Sequence, residues 1–220
     1  MAIKQGDCMG YRGRITGLLL IVGLVFIIRI WAYYSLNYPL TAPPLVGIVC
    51  LFIVWFLGKQ YDKEKYYAER DALTGLYNRR FIDNVFPMFL AQMDRRNAKL
   101  SITILDCDNF KAINDHFGHK KGDLVLKGLS TILSAGIRKS DIAVRWGGDE
   151  FLIIAPYADK KDMGVILTRL KNELQELSKR LQIEISVSAG VAVYPDDAKN
   201  LDDLITLADI AMYSLKNHAL

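Results

Sequence analysis

Two long apolar runs open the chain. Ile15 to Leu36 is apolar apart from Thr16, Ser35 and Arg29, and Leu40 to Leu57 carries no charge. Each approaches the roughly 20 residues a helix needs to cross a bilayer. The reading is a transmembrane helix over 15–36, an external loop over 37–44 and the core of a second span over 45–57. The second apolar run begins already at residue 40, and Pro43 and Pro44 open it as a helix start would. A signal peptide and a buried core helix are the alternatives, but no small-residue cleavage site follows the first run. The pattern then turns polar, and residues 58–70 read as a linker helix that breaks by Gly75.

Beyond the linker, hairpin strands mix with strand–helix crossovers. Asn78 can cap a helix running to about Asn97, kinked at Pro87. "LSITILD" reads as a strand ending at Asp106, and a loop with a short helix leads to a helix from Asp123 to about Ala135. "DIAVRW" and "EFLIIAP" form a hairpin around the glycine pair Gly147–Gly148. Asp159 to about Leu181 has helical periodicity, "IEISVSAGVAVY" is a long strand, and Leu201 to Lys216 is a final helix. The expected class is α+β, a central sheet covered by helices.

Charge sharpens this division. Residues 1–65 hold seven Lys/Arg against three Asp/Glu, which accounts for the whole net charge of +4. The remainder is formally neutral, which argues against a nucleic-acid partner, since that needs a basic face. Lys4, Arg12 and Arg14 precede the first run, Lys59, Lys63 and Lys65 follow the second, and the connecting "NYPLTAPP" has no basic residue. By the positive-inside rule both ends face the cytoplasm, including residues 1–14. Tyr33, Tyr34 and Tyr38 would form an outer aromatic belt and Trp55 an inner one, with Arg29 snorkelling to the headgroups. The three cysteines, Cys8, Cys50 and Cys107, are too scattered for a zinc site or a disulfide framework.

The chemistry gathers on carboxylates. Asp106 closes one strand, while Asp149 and Glu150 stand at the hairpin tip. If those strands are neighbours, three like charges converge at one sheet edge, and a divalent cation with oxygen ligands resolves the repulsion. The bland alternative is a set of solvated turn residues. Two Mg²⁺ ions about 4 Å apart activate a hydroxyl and stabilise phosphoryl transfer.

"RWGGDEF", Arg145 to Phe151, resembles the signature of the GGDEF-domain diguanylate cyclases. "DALTGLYNRR", "DCDNFKAINDHFGHKKGD", "SAGVAVYP" and "ADIAMYSLK" resemble further motifs of that family, in order and at compatible spacing across roughly residues 70 to 216. The resemblance implies a GGDEF catalytic domain over 71–220, with a five-stranded antiparallel-type sheet related to nucleotidyl cyclases. It also implies condensation of two GTP into cyclic di-GMP by a homodimer, which the two apolar runs would hold in a bacterial inner membrane. Carried over residue by residue, Asp106, the backbone carbonyl of Cys107, Asp149 and Glu150 would hold two Mg²⁺, or Mn²⁺ in their place. Asp149 is then the candidate base for the ribose 3′-hydroxyl. Gly147 and Gly148 would let substrate lie against the turn. Asn114 and Asp123 would read guanine, the carboxylate accepting from both N1–H and the N2 amine. Asn109, Phe110 and Lys111 would cradle the β- and γ-phosphates, and Lys216 matches a second phosphate contact. His119 is a further position of the motif, where a structural role is preferred over a contact with substrate.

A second site follows from the same resemblance. Arg138 and Asp141 in "RKSD", with Arg169 in the next helix, match an RxxD site at which cyclic di-GMP binds as product inhibitor. The alternative is an ordinary surface ion pair. The chain also departs from the family pattern. Trp146, Ala189 and Leu215 stand where tyrosine, isoleucine and alanine are usual, and the chain ends "KNHAL" where Gly-Arg-Asn is common, with Leu220 where a phosphate-binding arginine would fall. That ending favours the competing reading of a non-catalytic receptor for GTP or cyclic di-GMP; a silent membrane-anchored scaffold is a third reading. The intact Asp106, Lys111, Asp149 and Glu150 favour the enzyme.

Overall fold

Apolar residues along the strands, and at three- and four-residue spacing along four helices, leave one sheet with two faces to bury. In the computed structural model, which describes residues 12–37, 39 and 45–218, the strands are β1 (Tyr77–Asn78), β2 (Leu100–Cys107), β3 (Ile142–Arg145), β4 (Glu150–Pro156) and β5 (Val187–Tyr194). Their spatial order is β1-β3-β4-β2-β5. The β2–β4, β2–β5 and β3–β4 pairs are antiparallel, whereas β1 runs parallel to β3. The sheet is therefore mixed, not wholly antiparallel. From β1 the chain passes through α3 (Arg79–Arg96) into β2 and then through two helices into β3, and each helical crossover returns it in the same direction.

Helices α5 (His119–Gly136) and α6 (Lys160–Leu181) cover one face. Val125, Leu126, Leu129 and Leu133 of α5 meet Met163, Ile166, Leu170, Leu174 and Leu177 of α6 over Leu105, Phe151, Ile153 and Ala155 of the sheet. The opposite face carries Ile102, Ile104, Leu152, Ile154 and Ala192, packed by α3 and by α7 (Leu201–His218) through Leu204, Ala208 and Met212. Strands β2 and β4, buried on both sides, read as near-continuous apolar runs for that reason.

Several boundaries differ from expectation. Helix α5 starts at His119, four residues before Asp123, because Gly118 at φ +80 ends α4 (Phe110–Phe117) and the next helix begins at once. Strand β5 starts at Val187, not Ile183. Ile183 and Ile185 turn inward instead, and the Ile185 N–H is taken by Ser178 Oγ at 3.1 Å, so it is lost to the ladder. Asn78 caps α3 by accepting from the Phe81 N–H, and Asp159 caps α6 in a reciprocal box with Asp162, both as expected.

The described chain divides into two compact units, one ending at Ala68 and the other beginning at Glu69. The first contains α1 (Arg12–Leu36) and α2 (Leu45–Glu69). Among the described residues one helix, over Ile15–Leu36, is long and apolar enough to cross a membrane. In α2 the described apolar stretch runs from Leu45 to Leu57, and it continues without a break into the polar linker as a single helix. The rest of the second apolar run, at 40–44, lies outside the described residues, as do Tyr38, Lys4 and Cys8. A Cβ on Gly17 would sit 2.7 Å from Val54 Cγ1, so the early part of α1 touches the later apolar part of α2.

Candidate active site

The register of the central strands decides which acidic residues meet. Asp106 at the end of β2 lies directly opposite Glu150 at the start of β4, and opposite Ser188 of β5 on its other side. Residues directly opposite each other project to the same face, here the α7 face. The tip is fixed by backbone. Cys107 N donates to Asp149 O at 3.2 Å, and Trp146 N and Gly147 N both donate to Glu150 O. A Cβ on Gly147 would lie 2.5 Å from Glu150 Oε2, so this glycine leaves the carboxylate its place.

Burial and the neighbouring charges of Asp106, Asp149 and Asp209 raise the Glu150 carboxyl above its ordinary value. The same surroundings act on the buried Cys107 thiol, whose pKa is pushed up to about 12 by burial and by Asp149, Asp108 and Asp106; it stays protonated and unreactive. Among the described residues, one cation answers this crowd. Lys216 of α7 places Nζ 2.6 Å from Asp106 Oδ1 and 3.5 Å from Asp108 Oδ1, and Asp106 holds its ammonium pKa above the usual lysine value. Asp108 is held in turn by Ser186 Oγ at 2.7 Å and Ser188 Oγ at 2.6 Å, one on each carboxylate oxygen.

These oxygens suit a hard cation. Among the described residues no three His, Cys, Asp or Glu side chains form a ready-made metal cage. Mg²⁺ does not ask for one, since it keeps waters and shares substrate phosphates. A half-exposed set of carboxylates with an ammonium already drawn to it fits that description.

The neighbouring helices hold the other expected residues. Asn109 adopts a left-handed conformation (φ 54) that turns the chain into α4, leaving the first amides of that helix, Phe110 and Lys111, at an N-terminus where anions bind. Lys111, His119 and Asp123 are exposed and Asn114 is half-buried. A Cβ on Gly122 would overlap Asn114 Oδ1, so Asn114 rests against the α5 backbone one residue before Asp123.

A guanidinium fixes the hairpin from below. Arg145 donates to Asp71 Oδ1 and Oδ2 at 3.0 and 3.2 Å, and its Nη2 and Nε reach Gly148 O at 2.7 and 3.2 Å. Burial alone would raise the Asp71 carboxyl. Donors from the Thr74 side chain and N–H and from Arg145 outweigh it and hold the pKa below 3.8. The turn "DALTG" is thereby tied to the Gly147–Gly148 turn through Arg145, 74 residues on in sequence.

Arg138, Asp141 and Arg169 gather elsewhere, around the turn from α5 into β3. Asp141 is buried, at 1% exposure, and its carboxylate accepts from Arg138 N and Ser140 Oγ. The two arginines lie nearer the surface. Arg138 is 59% exposed and pairs with Asp162 at 3.2 Å, and Arg169 Nη1 donates to Gly136 O. Burial raises the Asp141 pKa. Trp146 packs under Arg79, whose guanidinium carbon lies 4.5 Å above the ring. Ala189 is packed against the α6 face. The side chain of Leu215, and Leu220 altogether, lie outside the described residues.

Sequence reasoning overlooked Asp108, Ser186, Ser188, Asp209, Asp71 and Arg145 as parts of the site. All but Ser186 stood inside quoted family motifs, but no pairwise spacing announced their partners.

Comparison with known proteins agrees with this geometry. Residues 68–219 match the family described as diguanylate cyclase, GGDEF domain. The chain is 35% identical over 156 residues to the diguanylate cyclase TpbB of Pseudomonas aeruginosa, covering 69% of this chain and 36% of TpbB. It is 31% identical over 213 residues to Bacillus subtilis YhcK, covering 92% of this chain and 58% of YhcK. The chain thus spans less than two thirds of these relatives. The coiled coil and GGDEF domain of Caulobacter crescentus DgcB, solved with c-di-GMP, superimposes with a TM-score of 0.65 at 27% identity, covering 75% of this chain and 89% of that one.

Proposed function

The chain belongs to the GGDEF-domain diguanylate cyclase family, and on that footing we propose that it condenses two GTP into cyclic di-GMP and two pyrophosphates. The observation that carries this reading is Asp106 facing Glu150 at the sheet edge, with the Lys216 ammonium drawn to Asp106. Two bound Mg²⁺, held by Asp106, the Cys107 carbonyl, Asp149 and Glu150, would supply charge neutralisation and activation of the ribose hydroxyl.

The chain's own residues do the rest. The 3′-oxygen of one GTP forms a bond to the α-phosphorus of the other, the bond from that phosphorus to the β-bridging oxygen breaks, and pyrophosphate leaves. Asp149 takes the hydroxyl proton. Asp123 and Asn114 orient guanine, while Lys111 and the α4 amides hold the departing phosphates. Each protomer carries one GTP, so the ring closes only between two protomers facing each other. Arg138 and Arg169, on a turn shaped by buried Asp141, form the product-inhibitory site.

We further propose a two-pass membrane anchor with the catalytic domain in the cytoplasm. The apolar length of α1, the Gly17–Val54 contact and a likeness to YhcK reaching into the N-terminal helices support it.

The test is incubation of the full-length protein with GTP and Mg²⁺. Cyclic di-GMP from wild type and none from Asp106→Asn or Asp149→Asn, both folded by circular dichroism, is expected. A wild type that binds GTP without forming product would make the protein a receptor.

A further inference from the structure

We propose that Lys216 is a resident counter-ion that keeps the Asp106 and Asp108 carboxylates from a free divalent cation, so that the metal enters only together with a triphosphate. The inference rests on the cyclase reading and deepens it.

The geometry is specific. Lys216 Nζ stands 2.6 Å from Asp106 Oδ1 and 3.5 Å from Asp108 Oδ1. Asp108 is clamped by two serine hydroxyls. Asp106 is fixed by its place in the ladder between β4 and β5. Helix α7 is seated directly on β5 at Gly190, where a Cβ would overlap the Ala208 carbonyl. Only the flexible stem of Lys216 is free to move. A lysine is a compact point charge on such a stem, able to exchange one anionic partner for another.

A hydrated cation arriving alone would have to expel the ammonium from Asp106 and leave it with no new partner. A cation carried on a triphosphate brings phosphate oxygens that accept the displaced ammonium. The same lysine therefore opposes metal alone and favours metal with nucleotide. A residue that merely stabilised the fold would not have opposite signs in the two cases.

The experiment titrates Mn²⁺ into the full-length protein, with free Mn²⁺ read by electron paramagnetic resonance. In the absence of nucleotide, Lys216→Met should bind Mn²⁺ about tenfold or more tightly than wild type, because a like charge has left the site. Lys216→Arg, which keeps the charge, should stay close to wild type. The gain should vanish in Lys216→Met combined with Asp106→Asn. With a non-hydrolysable GTP analogue present the order should reverse, the Lys216→Met variant binding the metal–nucleotide complex more weakly than wild type. Equal or weaker binding of Mn²⁺ alone by Lys216→Met, or a gain that survives Asp106→Asn, overturns the proposal. Failure of wild type to make cyclic di-GMP would sink the cyclase reading and leave the nucleotide-free comparison of affinities as it stands.

Discussion

Replacing Arg145 by methionine should weaken both the domain and its chemistry, although this arginine has no expected contact with substrate. The substitution keeps much of the stem and removes the guanidinium, withdrawing two donors from Asp71 and two from Gly148 O. A hydrogen bond to a charged group contributes about 1.5–3 kcal/mol net. The four are not additive, since they share one group, and Asp71 keeps the Thr74 N–H and hydroxyl at 2.8 and 2.6 Å. The pair is also only partly buried, at 16% and 23% side-chain exposure. A loss of about 2 kcal/mol follows, or a fall in Tm of about 4–8 °C. Turnover should fall further than stability suggests. With Gly148 O released, the turn bearing Asp149 is free to drift, and a misplacement of about 1 Å costs about 10²-fold in rate. Cyclic di-GMP formation, measured beside thermal unfolding, reads both effects. A double-mutant cycle with Asp71→Asn should show clear coupling. Because the folded Asp71 pKa is depressed, the pair's contribution is present above pH 3.8 and is lost as pH falls through the folded value. An Arg145→Met protein with wild-type turnover, or a cycle with no coupling, would refute the reasoning.

Glu150→Gln should abolish turnover yet raise thermal stability at neutral pH. The Glu150 pKa is raised, so its ionisation costs stability as pH rises through the folded value and costs nothing well below 4.5; melting curves at pH 4 and pH 8 should show the gain only at the higher pH. Arg138→Ala should leave basal synthesis intact and weaken inhibition by added cyclic di-GMP by roughly 5- to 150-fold, from about 1–3 kcal/mol of charge-assisted bonding. Coincident inhibition curves would reduce Arg138 to the partner of Asp162. A reporter active only outside the cytoplasm, fused after Lys216, should stay silent, and a strong signal would reverse the proposed topology.

Much of the scaffold was legible because burial on both faces writes itself plainly, as in "LSITIL" and "FLIIAP". Strand β1 was not. Two residues paired in parallel with β3 have no periodicity to display, and only tertiary closure makes them a strand. The start of α5 was hidden by the polar run His119 to Asp123, which reads as loop until Gly118 is seen to end one helix and admit the next. At the site, adjacency in sequence carried Asp149 and Glu150, and strand ends carried Asp106. The Lys216–Asp106 pair joins residues 110 apart, a separation that no local pattern encodes. Asp141 shows the converse. Its motif was visible, but whether a carboxylate faces outward or caps its own turn depends on packing that sequence spacing does not specify.

The contact of Gly190 with α7 works as a datum surface, the face from which other dimensions are measured. Ala208 O and Met212 N rest where any side chain at 190 would stand, so the depth of the helix is set by main chain against main chain. Lys216 projects from the same helix eight residues past Ala208, about 12 Å along the axis. Lifting α7 by the thickness of one methyl group would carry the ammonium off its carboxylates without altering any residue near them. A position that touches neither metal nor nucleotide should thus score, in a scan of substitutions, as though it belonged to the chemistry. Tolerance at the active edge of this sheet is machined about two helical turns away.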